Sequence, residues 1–170
     1  MPTIAEALSA NQTAVAAFLG VVDQLGATWT TPRAPGKWAP SQVTEHVARA
    51  YDESAKLCAG QSVAFPSLPG FLRPVARGLL FNRVVRSGMF PKAKTNRPMD
   101  PVSGPATPAE GRARLEGAVA TFEKQVKMAA SPDAATVASK TFGNVKLIDW
   151  VMFQEAHARH HQAQLRSAPA

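Results

Sequence analysis

Cysteine is almost missing from this sequence. Cys58 stands alone in 170 residues, so no intrachain disulfide can form and a stapled secreted scaffold is excluded. Charge is scarce too, at 18% of residues, and acids are the rarer sign, 12 against 19 Lys and Arg. The resulting net charge of +7 suits a nucleic acid, an anionic membrane surface or an acidic substrate, and equally suits a merely solvated basic surface. No uninterrupted apolar run approaches the roughly 20 residues that span a bilayer. Residues 1–25 lack a basic opening segment, and Glu6, Gln12 and Asp23 interrupt their apolar pattern. No signal peptide is therefore expected, and the cytoplasm is the expected location. Also missing are a glycine-rich phosphate loop, an internal repeat, and a strand pattern longer than a few residues. The apolar share of 45%, over a length that suits one domain spanning residues 1–170, is enough to bury a core without staples.

What is present is helical periodicity. Ile4, Leu8, Val15, Phe18, Leu19, Val22 and Leu25 predict a first helix over 3–25, opened by a Thr3/Glu6 capping box and stopped at Gly26. A loop follows over 27–40. Pro40 suits the first position of a second helix, and Ser41 is a candidate cap; Val43, Val47, Ala50, Ser54 and Leu57 form its stripe to about Gly60. Seven prolines break up residues 61–106, leaving room for one short helix at about 74–88. Thr107, Pro108 and Glu110 then open a third helix to about Ala130, with Leu115, Val119, Phe122 and Val126 on its apolar face. Residues 131–145 read as a loop, and 146–166 as a fourth helix packed by Leu147, Ile148, Trp150, Val151 and Phe153. The fold class is thus all-α: a four-helix bundle with a long crossover and a short extra helix between helices two and three. The short links predict that helices one and two, and three and four, are antiparallel neighbours.

Four histidines draw attention. His157 and His161 stand four apart on helix four and present two imidazoles from one face. Such a pair chelates an ion in other helical sites. His46, on helix two, reaches them if the two helices run antiparallel, and a three-nitrogen set leaves positions open for water. His160 sits to the side. The plainer alternative is a surface pair favoured by the helix C-terminus and a core histidine satisfied by a hydrogen bond.

Gly36-Lys37-Trp38-Ala39-Pro40 followed by His46, then Phe142-Gly143, and finally His157-x-x-x-His161 with Gln164, resemble the motifs of the DinB superfamily. The resemblance covers about a third of the chain directly, and the helix order fits the rest. It implies a DinB-type bundle in which His46, His157 and His161 bind nickel, zinc or a similar divalent ion. It also implies an activity like that of thiol transferases and isomerases using mycothiol, bacillithiol or another low-molecular-weight thiol. The long basic insert at 61–106 is a departure from a minimal member of the family.

Around these histidines, Trp38 and Trp150 are expected to pack the bundle ends. Glu53, seven residues after His46, is the candidate to orient a ligand imidazole or take a proton from bound water, against the plainer reading of a surface carboxylate. Glu45 and Glu155 adjoin ligands in sequence and should point elsewhere. Gln164 can bond near the site or cap helix four. Cys58 reads as a small buried apolar residue. No Ser-His-Asp or Cys-His arrangement competes.

Residues 71–97 hold Arg73, Arg77, Arg83, Arg86, Lys92, Lys94 and Arg97 with no acid, interleaved with Phe71, Leu72, Val75, Leu79, Leu80, Phe81, Val84, Val85 and Phe90. The plain expectation is a lid packing its apolar side on the bundle with arginines in solvent. A lid whose arginines bind an anionic substrate or thiol is a second reading. Two functions therefore stand: a metal-dependent thiol transferase or hydrolase acting on a small molecule, or a non-catalytic module whose insert contacts an anionic membrane, nucleic acid or partner protein. Nucleic acid rests on charge alone, and no residue specifies a homodimer. A bundle that kept its histidines but lost its activity is a third, duller reading.

Overall fold

The computed structural model describes residues 2–91, 97–130 and 135–166. Four long helices form the bundle: α1 (Ile4–Val22), α2 (Pro40–Cys58), α5 (Pro108–Ala129) and α6 (Leu147–Arg166). Between α2 and α5 lie α3 (Arg73–Ala76), a π turn (Arg77–Phe81) and α4 (Asn82–Ser87), which run on as one rod. A hairpin, β1 (Thr136–Ser139) and β2 (Gly143–Lys146), leads into α6.

The helix starts follow local chemistry. Thr3 Oγ1 accepts from the Glu6 N–H at 3.2 Å while Glu6 accepts from the Thr3 N–H at 2.7 Å, the expected box. Pro40 opens α2, but Ser41 is not its cap. The cap position is Ala39, whose N–H donates to Gln42 Oε1 at 3.0 Å, and the Ser41 N–H bonds the Trp29 carbonyl. At α5, Thr107 caps the Glu110 N–H at 3.2 Å, while Glu110 reaches one residue further back, to the Ala106 N–H at 2.9 Å.

The helices are not arranged as the short links suggest. α1 packs along α6 and α2 along α5, with α2 against α6 and α1 against α5 closing the ring. Helices one and two are therefore diagonal, as are α5 and α6. Ala17 accepts from Gln162 at 3.0 Å, and Tyr51 reaches both Asn11 (2.7 Å) and the Gln154 carbonyl, so α1 and α6 run parallel and α2 runs against them. Arg114 meets Glu45 at 3.1 Å and Phe122 meets Tyr51, so α5 runs parallel to α2. Two consecutive helices pointing the same way need a connection as long as the bundle, which is what residues 61–106 supply. Among the described residues, α1 is the one helix long and apolar enough, by length and composition, to cross a membrane. Its buried Leu8, Val15, Phe18 and Leu19 instead belong to the common core, and Asn11 at its middle is held by Tyr51.

The described part of the loop predicted over 131–145 is instead the antiparallel hairpin, pairing Thr136 with Lys146 and Ser139 with Gly143. Four residues per strand are too few for a period of two to be read. Inward-facing Val137 and Val145, opposite each other, with Phe142 in the turn and Gly143 at φ 75°, seal the bundle end.

The returning leg of the crossover lies tightly on the start of α2. Trp29 Nε1 donates to the Pro105 carbonyl at 2.8 Å, and Gln42 Nε2 to that of Pro101 at 3.1 Å. Gly104 sits so close that a Cβ there would lie 2.2 Å from the Ser41 carbonyl carbon and oxygen. Both atoms are backbone and cannot rotate away. Gly104→Ala should therefore lower stability by about 1–3 kcal/mol, seen as a lower urea midpoint; an unchanged midpoint would show that the leg can shift freely.

Candidate metal centre

α2 and α6 cross antiparallel, which brings His46 to the C-terminal half of α6. His46, His157 and His161 each offer one ring nitrogen, and these atoms lie within 4.8 Å of one another. The Nε2 atoms of His157 and His161 are 3.0 Å apart. Nitrogens about 2.0–2.1 Å from a shared ion stand roughly 3.0–3.5 Å apart, so that pair is already at ligand spacing. His46 completes the group from the facing helix with ring centroids 5.2 Å and 4.8 Å from the other two.

Outward hydrogen bonds set which nitrogen is free. His46 Nδ1 is 2.9 Å from the Met99 carbonyl, which only accepts, so Nδ1 carries the proton and Nε2 keeps its lone pair. His161 Nδ1 donates in the same way to Gln164 Oε1 at 2.7 Å. The His161 lone pair then faces His157 Nε2. His157 Nδ1 is buried with no hydrogen-bond partner among the described residues. At 3.0 Å either His157 Nε2 donates its proton to this lone pair, or both nitrogens turn lone pairs to one cation. The donor set thus fits a divalent ion of the kind imidazoles favour, such as zinc or nickel.

Burial keeps these imidazoles neutral, the form that binds metal. It lowers His46 below the ordinary histidine range, partly offset by Met99 and by Asp100. It lowers His157 further, helped by the neighbouring His161, His46 and His160. It brings His161 down to about 3, with His46 and His160 adding to the effect and Gln164 opposing it.

The surroundings come largely from the crossover. Trp38 tilts against His46 at 4.9 Å and donates to Asp100 Oδ1 at 3.0 Å, so it borders the site as well as packing the bundle end. Trp150 stays structural, buried in a stack with Phe81 and Phe153. Phe90, just beyond the Gly88 stop of α4, covers His157 at 5.3 Å and His160 at 5.8 Å. Met99, Asp100 and Phe90 had no signal in the sequence as site residues; a backbone carbonyl acceptor has none to give. Gln164 had one, its three-residue spacing from His161.

Glu53 is not brought to the histidines. One carboxylate oxygen takes Lys56 Nζ at 2.6 Å and the other takes the Ala64 N–H, so the side chain pins the start of the crossover. Glu45 is held by Arg49 and Arg114, and Glu155 by Arg159, both away from the trio as expected. Burial pushes the Cys58 thiol up to about 12, which makes it a poor nucleophile. Lys92 and Lys94 lie outside the described residues.

The family model described as the DinB superfamily matches residues 7–165. No curated protein and no solved structure matches the chain.

Proposed function

Because the chain belongs to the DinB superfamily, we propose that it is a metal-dependent enzyme, a thiol transferase or hydrolase, with His46, His157 and His161 as ligands of one nickel or zinc ion. The observation that carries this reading is the convergence of three buried imidazoles, two of them fixed from behind with their lone pairs inward. A bound ion supplies one thing here: it lowers the pKa of a coordinated water or thiol, so the nucleophile is available near neutral pH. The chain's own residues do the rest. Met99 and Gln164 orient ligand rings. Phe90 and Trp38 shield the ring faces from water. The substrate is a small molecule, with a low-molecular-weight thiol as co-substrate, and the protein works in the cytoplasm.

The test is turnover. Nickel- and zinc-loaded protein is assayed with a panel of thiols against a chlorodinitrobenzene acceptor, and without thiol against nitrophenyl esters. Turnover that falls to background in the His46→Ala/His157→Ala/His161→Ala variant is expected. Equal rates in both proteins, or none with either metal, would end the enzymatic reading.

A further inference from the structure

The outer face of the insert rod is not the arginine surface that a simple lid would show. Its inner face is apolar as expected: Phe81 stacks on Phe153 at 5.1 Å, and Val84 is fully buried. Yet Phe71 is 78% exposed, Val75 53% and Leu79 74%, with Leu72 and Met89 exposed beside them. Of the seven large apolar side chains exposed among the described residues, these five fall within 71–89, so the exposure is a patch and not scatter. Phe71, Val75 and Leu79 are spaced by four and share one helical face. Arg83 and Arg86, both exposed, follow at its end.

Residues 71–97, which carry this face, hold no acid. Among the described residues, Arg73 and Arg77 donate to the carbonyls of Leu68 and Asn144, at 2.9 Å and 3.0 Å. The adjoining hairpin adds exposed Lys140 and Lys146. None of these six cations joins an ion pair among the described residues.

We propose that this face docks the protein on an anionic lipid surface, with Phe71, Val75 and Leu79 in the headgroup boundary and Arg83, Arg86 and their neighbours on lipid phosphates. An apolar helical face flanked by arginines is the pattern of helices that lie in the plane of a membrane. A second copy of the chain is opposed by the repulsion of like-charged faces. The rod that carries this face is followed, past its Gly88 stop, by Phe90 over His157.

The experiment is co-sedimentation of the metal-loaded full chain with vesicles of phosphatidylglycerol and phosphatidylcholine, and with phosphatidylcholine alone. Binding to the anionic vesicles only, weakening as salt rises, is expected. Phe71→Ser/Leu79→Ser should reduce it about tenfold, and Arg83→Gln/Arg86→Gln should reduce it and flatten its salt dependence. All four positions are exposed or partly so, and circular dichroism melts should be unchanged. The His46→Ala/His157→Ala/His161→Ala variant should sediment like the parent, so this test stands apart from the metal reading. No sedimentation with anionic vesicles, or undiminished sedimentation of the Phe71→Ser/Leu79→Ser protein, overturns the proposal. So does a concentration-dependent dimer that this double variant abolishes while vesicles bind neither protein.

Discussion

Untagged protein is expected to carry close to one equivalent of nickel or zinc, and the His46→Ala/His157→Ala/His161→Ala variant none. The expectation rests on nitrogens that are already gathered, neutral and aimed inward. Little ordering cost then remains when an ion binds, because the bundle has fixed the rings. Single variants should each lose affinity by more than the roughly 10–100-fold typical of an outer hydrogen-bond partner, and Gln164→Ala should fall within that range. Binding only to the folded state also raises stability, by about 4 kcal/mol at a thousandfold excess over Kd. For a domain of this size that is a rise in Tm of roughly 8–16 °C on adding metal. Calorimetry with and without chelator reads the shift, and elemental analysis reads the stoichiometry. Trace metal that is equal in parent and triple variant, with no thermal shift on adding nickel or zinc, would remove the metal centre.

Chelated protein should be sharply acid-labile, and the same histidines should be the cause. Burial holds His157 and His161 far below the unfolded histidine value of about 6.5. Above that value both folded and unfolded states are neutral there, and stability does not depend on pH. Below it the unfolded chain takes up protons that the folded chain refuses, so stability falls as pH drops from about 6.5 toward the folded value near 3 of His161. A fully shielded imidazole contributes about 2 kcal/mol of loss by pH 5, and His157 and His161 both act in that direction. His46 adds in the same direction. Urea midpoints of the metal-free protein across this range should show a steep limb that the triple alanine variant lacks. A flat profile in the parent would mean that water reaches these rings.

Why the burial exists is a tertiary matter. Neither His157 nor His46 is shielded by its own helix. The shield is α2 against α6, closed over by Phe90 and by the leg that carries Met99. Acid lability and the Gly104→Ala prediction are therefore connected, because the glycine lets that leg approach α2.

Local chemistry was legible from the residues in order. The Thr3 box, Pro40, and Thr107 with Pro108 mark three helix starts because caps act on N–H groups two or three residues away. The four-residue step from His157 to His161 is a property of one helix, and so is its use as a paired donor. The length of the 61–106 stretch marked it as a crossover. The ring order did not follow, because a short link fixes the direction of the next helix but not which face it lies on. The hairpin escaped because each strand of four residues earns its stability from Val137 and Val145 meeting the bundle, not from its own pattern. Glu53 was drawn toward the histidines by helical spacing, yet Lys56 and the Ala64 N–H hold its carboxylate instead. The choice of ring nitrogen on His46 depends on a carbonyl 53 residues away. Sequence determined the helices and the donors they carry; which donors meet, stay neutral and face inward was decided only when distant segments packed, since burial and hydrogen-bond partners are properties of neighbours in space.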